Sequence, residues 1–199
     1  MTREAQQPTD LLAAYSALVR QYHATLDLVS PAALADWESL LADALLYDEI
    51  ISELAPDGGD VLDLGSGVGL PGLPLAIRRP DSAVLLVERR RRRSAFLQLA
   101  SGQLGLDNVT VVTSDVREVT GGQFPVITAQ AVSTFASVHA LSRHLQAPEV
   151  ILLSSKGAGW EAEAEELTAS AEVRLVASAV RSRSAAAGVI VGLRLQEGN

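Results

Sequence analysis

Three features of the sequence predict an α/β fold with a doubly wound, mostly parallel sheet, an antiparallel final strand and short N-terminal helices. Short apolar segments alternate with amphipathic ones from residue 60 onward, a glycine-rich turn follows the first of them, and the stretch ahead of them reads as helix throughout. "LLAAYSALVRQY" sets Leu11, Leu12, Tyr15, Leu18, Val19 and Tyr22 on one helical stripe. "SPAALADWESLLADALLYDEIISEL" opens with Ser30 as N-cap and Pro31 at the first helical position. Its stripe runs Leu34, Trp37, Leu41, Leu45, then Ile50, Ile51 and Leu54, up to a break at Pro56. After the turn "APDGGD" the pattern predicts strand 60–64, helix 70–79, strand 83–88, helix 90–104, strand 109–113 and strand 124–129. A helix near 135–146, strand 149–154, helix 160–170 and strands 172–180 and 187–195 follow. The last two lie too close together for a crossover and are expected to pair antiparallel. The organisation expected is a helical region over 1–57 and a cofactor-binding domain over 58–199, forming one compact unit.

Composition narrows the function. The chain has 199 residues, 48% of them hydrophobic and 20% charged, as in ordinary globular domains. It has no cysteine, which excludes disulfides, thiolate metal sites and cysteine nucleophiles, and its three histidines lack metal-binding helix spacing. No metal is expected. No apolar run approaches a membrane span of about 18 residues, and "MTREAQQPTD" is too polar for a secretory signal. Cytoplasmic localisation and a monomer are expected. Residues 1–58 hold two basic and ten acidic residues and carry the whole net charge of −8. That third would repel a phosphate backbone, and a basic protein partner is the alternative for it.

The segment "VLDLGSGVGLPGLPLAI", Val61–Ile77, places so little side chain where a strand hands over to a helix that a ligand is expected there. Asp63, Gly65, Gly67 and Gly69 read as D-x-G-x-G-x-G. Gly67, Gly69 and Gly72 also fit the dinucleotide pattern G-x-G-x-x-G, which alone is weak. Asp63, two residues before the first glycine, suits a cofactor's amino group and would repel a pyrophosphate. Glu88 ends the next strand, where an acid can bind both hydroxyls of a ribose. Together these favour S-adenosylmethionine over NAD. Asp115, Val116 and Arg117, after the third strand, would lie beside the same pocket and hold an adenine ring by backbone groups. The alternative for Asp115 is a helix cap.

Arg89 to Arg93 form a run of five arginines at a helix start. One reading is phosphate contact with RNA; the other is a solvated face, with some arginines pairing the acidic helices. Lys156 is the only lysine in the chain.

"LDLGSGVGLPGLPLAIRRPD", "VERRRRRSAFLQLASGQLGLDNVTVV" and "SKG" resemble the RsmG (GidB) family of bacterial 16S ribosomal RNA guanine-N7 methyltransferases, over most of residues 25–195. The resemblance implies a class I methyltransferase-like, Rossmann-type fold behind N-terminal helices, S-adenosyl-L-methionine as cofactor and small-subunit ribosomal RNA as substrate. It puts cofactor contacts on Gly65, Leu70, Val116 and Arg117. If RNA is the substrate, Arg89, Arg90, Arg92, Arg93 and Lys156 are the residues expected to contact it. Asp43, Gln130 and Lys156 become the candidates for positioning the acceptor. The departures are specific. Ser39 and Leu40 stand where the family has Arg-His, Ala44 replaces a serine after Asp43, and Asp27-Leu28-Val29 replaces Asn-Leu-Thr. Ala129-Gln130-Ala131 stands where the family has Ser-Arg-Ala, so an arginine expected at the cofactor and RNA site is Gln130. N7 of guanine has an in-plane lone pair and needs no base to attack a methyl group, which suits a site built for alignment. The lack of cysteine excludes cysteine-dependent C5 methylation by this chain, and "VITAQAVSTF" lacks the Asn/Asp-Pro-Pro-aromatic signature of exocyclic amino methylation. The alternatives are a methyltransferase that has moved to another acceptor and a cofactor-binding module acting through a protein partner.

Overall fold

The computed structural model describes residues 7–130, 134–185 and 187–198. Three helices come first, α1 (Pro8–Leu26), α2 (Pro31–Ala35) and α3 (Trp37–Leu54). The chain then runs β1 (Val61–Leu64), α4 (Gly72–Arg78), β2 (Val84–Val87), α5 (Arg91–Leu104), β3 (Val109–Val112) and β4 (Phe124–Ala129). It ends with α6 (Phe135–Ser142), β5 (Gln146–Lys156), α7 (Trp160–Ser170), β6 (Val173–Ser182) and β7 (Val189–Glu197). The seven strands form one sheet in the order β3-β2-β1-β4-β5-β7-β6. β1 to β5 pair parallel, while β7 runs antiparallel to both β5 and β6, as the short last connection requires.

The alternation of side chains across β1 divides the core. Val61 joins Val84, Leu86, Val126 and Ile151 under α1, α3, α4 and α5, and Leu62 and Leu64 join Ile127, Leu152 and Val191 under α6 and α7. Asp63 shares its face with Val61 and so lies on the α4 side. The strand order reverses between β1 and β4, which opens a crevice at their carboxyl ends.

The helix expected from Ser30 to Leu54 is two helices. The Ser30 hydroxyl accepts the Ala33 N–H as predicted, but the first segment stops at Ala35 and a new helix starts at Trp37. The buried face of α3 is correspondingly turned: Asp43, Ala44 and Tyr47 are buried, while Leu45 is half-exposed. β5 is longer than expected because its first residue pairs with Phe124, ahead of a register shift in the ladder with β4.

α3 lies directly on the antiparallel end of the sheet, and Gly192 of β7 is what allows the approach. A Cβ there would stand 2.4 Å from Cγ2 of Ile50 and 3.0 Å from Cδ1 of Leu54. Gly192→Ala is therefore expected to lower stability by about 1–3 kcal/mol through overpacking, and the melting temperature by about 2–4 °C per kcal/mol. Thermal denaturation checks it; an unchanged melting temperature would contradict the contact.

Candidate active site

The loop after β1 is held from several sides. The Gly65 and Ser66 amides donate to the carbonyl of Val87 at 2.8 and 3.2 Å, tying the loop to the end of β2. Gly69 N–H donates to the Ser66 carbonyl at 2.6 Å, and Leu73 N–H to that of Gly69 at 2.7 Å. Gly65, Gly67 and Gly69 have φ of +68°, +58° and +106°, conformations that L side chains rarely adopt, so here glycine is needed for the backbone itself. From α1, the hydroxyl of Tyr15 donates to the carbonyl of Val68 at 3.0 Å.

Glu88 joins this loop to the next element. One carboxylate oxygen accepts the Gly67 N–H at 3.0 Å, and the other accepts the Arg90 N–H at 2.7 Å. Glu88 is 5% exposed. Each oxygen keeps a lone pair beyond these bonds, which is the capacity a ribose diol needs.

Asp63 lies beneath the loop, 1% exposed. Oδ1 accepts the Thr128 hydroxyl at 2.6 Å, and Oδ2 makes no close hydrogen bond among the described residues. Gly72 makes room for it: a Cβ at Gly72 would stand 2.7 Å from that oxygen. Burial, above all, pushes the Asp63 carboxyl up from 3.8 to about 6, against the opposing hydrogen bond from Thr128.

These residues fit S-adenosylmethionine. A buried carboxylate oxygen without a close hydrogen bond calls for a cation or donor, and the cofactor's ammonium is both. At Gly67 a Cβ would find only the Gly65 carbonyl at 3.6 Å and Nη1 of Arg93 at 3.8 Å, which leaves an open cradle bordered by the Arg93 guanidinium. Leu70 is buried in the core, so its side chain serves packing and only its main chain is offered to a ligand. Asp115 caps a 3-10 turn, Val116–Glu118, by accepting the Arg117 N–H at 3.0 Å. It also binds the Arg117 guanidinium at 2.8 and 2.6 Å, which holds its carboxyl well below the usual range. The side chain is thus a cap, as the alternative reading had it, and Val116 is left half-exposed past β3.

Other expected residues are placed differently. Asp43 does not face an acceptor. It is 1% exposed, and its carboxylate takes Nε of Arg183 at 3.1 Å and the amides of Ser184 and Ala185 at 2.5 and 3.2 Å, latching the β6–β7 loop to α3. Lys156 does not offer its charge to a phosphate. Its side chain is 6% exposed, its ammonium binds Glu163 at 2.7 Å, and it sits 4.4 Å from the centre of the Phe135 ring. Gln130 directly follows β4, half-buried, and its side chain makes no hydrogen bond among the described residues. Ala131 lies outside them.

The arginine run stands apart from the other arginines. Asp48 binds Arg78 at 3.2 Å and Arg79 at 2.6 Å, and Glu49 and Glu53 bind Arg181 at 3.1 and 2.7 Å. The acids of α3 are therefore met within the fold: Glu38 by Arg20 of α1, and Asp43, Asp48, Glu49 and Glu53 by the end of α4, β6 and the β6–β7 loop. Among the described residues, Arg89 to Arg93 make no ion pair within 4.0 Å; Arg89 to Arg92 are exposed, and Arg93 is half-buried beside the glycine loop. No helix of the described residues is long and apolar enough to cross a membrane, and no group of three His, Cys, Asp or Glu among them is placed to hold a metal.

Asp63 generates a pH prediction. A folded pKa near 6 above an unfolded one near 3.8 means the folded chain binds the extra proton. Its stabilising contribution is full below the unfolded value and is lost as pH rises through about 6. Wild type should therefore lose about 2 kcal/mol relative to Asp63→Asn between pH 4 and pH 7. Urea unfolding of both proteins across that range reads this, and parallel curves would contradict it.

A family model described as rRNA small subunit methyltransferase G matches residues 9–187. The ribosomal RNA small subunit methyltransferase G of Acidiphilium cryptum is 39% identical over 165 residues, covering 81% of this chain and 72% of that protein. Its namesake in Stenotrophomonas maltophilia is 35% identical over 163 residues, covering 81% and 75%. Among solved structures, the magnesium protoporphyrin IX methyltransferase of Synechocystis PCC 6803 with bound SAH superposes with a TM-score of 0.61 at 16% identity, covering 92% of this chain and 100% of that one. M. jannaschii TYW2 in complex with AdoMet gives a TM-score of 0.61 at 14% identity, covering 70% and 69%. These last likenesses establish the class I methyltransferase fold, and the match over residues 9–187 establishes kinship: the chain belongs to the GidB family, rRNA small subunit methyltransferase G.

Proposed function

We propose that this protein transfers a methyl group from S-adenosylmethionine to N7 of a guanine in small-subunit ribosomal RNA. The cofactor would supply an electrophilic methyl on a sulfonium. Asp63 would hold its ammonium, Glu88 its ribose, and the backbone at Val116 and Arg117 its adenine. The chain's task is then alignment, since the N7 lone pair needs no proton removed.

The observation that carries the RNA half of this reading is the arginine run at the start of α5. Arg91, Arg92 and Arg93 occupy its first turn, Arg90 is an N-cap without a side-chain hydrogen bond, and the first turn has no acid. A helix start carries partial positive charge and favours anions, so cations cost stability there. A local rule broken without an internal partner points to an external one, and exposed arginines suit a phosphate backbone. Glu88 ties this helix start to Gly67, which supports a basic surface beside the loop that would cradle the methyl donor.

The arrangement generates a paired expectation for Arg92→Glu, since an acid in the first turn relieves the helix end. Thermal stability should hold or rise, by up to about 1 kcal/mol. RNA affinity should fall, and the slope of log K against log salt should flatten by about 1–2. Affinity unchanged across a salt series would assign the run to solvent.

Gln130 favours a second reading, a changed acceptor, because it offers no charge where the family has arginine. Single-turnover methylation of small subunits lacking the modification, with naked RNA alongside and labelled cofactor at saturation, decides between them. The expected result is label on a guanine N7, with Gln130→Arg faster by about tenfold, the gain of a charge-assisted over a neutral hydrogen bond. No transfer to either RNA by a cofactor-saturated protein would favour the changed acceptor.

A further inference from the structure

We propose that Tyr15 of α1 is a positioning residue of the cofactor site: its hydroxyl sets the peptide plane between Val68 and Gly69. The inference rests on the S-adenosylmethionine reading above. The carbonyl of Val68 and the amide of Gly69 belong to one rigid peptide unit, so fixing one orients the other. Tyr15 Oη donates to that carbonyl at 3.0 Å across 53 residues of sequence, and the Gly69 amide donates to Ser66 O at 2.6 Å. Gly69 at φ +106° has a broad choice of conformations, so an outside anchor is what selects one.

The anchor is itself rigid. Tyr15 is fully buried, and its ring meets that of Trp37, the first residue of α3, edge-on at 5.5 Å and 66°. Trp37 is also fully buried, and its Nε1 donates to Oγ of Ser16 at 2.9 Å. Burial and the nearby Asp63 raise the phenol above its ordinary value, so it remains a donor at any working pH. The helices ahead of the sheet therefore complete the loop that the sheet begins.

The test compares Tyr15→Phe, which deletes only the hydroxyl, with Ser16→Ala, which deletes the partner of Trp37 but leaves the Tyr15–Val68 bond. Both should melt lower by about 2–4 °C. In calorimetry with S-adenosylhomocysteine, Tyr15→Phe should bind about three- to tenfold more weakly while Ser16→Ala matches wild type. In cofactor-free protein, hydrogen exchange at the Val68 and Gly69 amides should quicken only in Tyr15→Phe. In turnover, Tyr15→Phe should raise the KM for cofactor and leave kcat unchanged. Equal affinity and equal exchange in Tyr15→Phe and wild type would overturn the proposal while leaving the cofactor reading intact. Wild type that binds no cofactor analogue would overturn both.

Discussion

One carboxylate, that of Glu88, ties together the two surfaces on which the reaction depends. It directly follows β2, accepts the Gly67 amide of the glycine loop on one oxygen and accepts the Arg90 amide at the threshold of α5 on the other. The loop that would cradle the methyl donor and the helix start that would meet the RNA are thus referenced to a single buried anion. Their spacing is set by a strand of the parallel sheet, the most rigid element available. Everything else nearby works to keep that junction fixed: the Val87 carbonyl under Gly65 and Ser66, Tyr15 on Val68, and Thr128 on Asp63.

A second constraint is the sorting of charge. Ten acids in the first 58 residues look like an invitation to a basic partner or to the arginine run. Instead, Asp43, Asp48, Glu49 and Glu53 are met by Arg78, Arg79, Arg181 and Arg183. α3 is pinned by these pairs to α4 and to the antiparallel end of the sheet. The consequence is functional: four exposed arginines and the half-buried Arg93 stay beside the glycine loop, at a helix end that would itself prefer acids.

Much of this was legible in the sequence, because it rests on local signals. The alternation of apolar segments located all seven strands, and the last two paired antiparallel because their spacing permits nothing else. The glycine loop and the two acids flanking it were legible because backbone freedom and strand-end carboxylates leave local signatures. What the sequence hid depends on distance along the chain. Asp43 meets Ser184 across 141 residues, and Tyr15 meets Val68 across 53. No periodicity announces either; Tyr15 reads only as one more apolar position in a helical stripe. Lys156 misled for a related reason. A lone lysine in a glycine-flanked turn reads as exposed, and only the fold brings Glu163 and Phe135 around it. The break at Asp36 was hidden because the apolar spacing in the sequence runs on across it, from Leu34 to Trp37 and Leu41, with no glycine or proline between them.

Asp63, the glycine loop and Glu88 would together make a site for S-adenosylmethionine and not for a nicotinamide dinucleotide. Isothermal titration of the purified protein with S-adenosylhomocysteine and, separately, with NADH distinguishes the two. Saturable one-to-one binding of S-adenosylhomocysteine and no heat from NADH are expected. Binding of NADH with none of S-adenosylhomocysteine would contradict this reading.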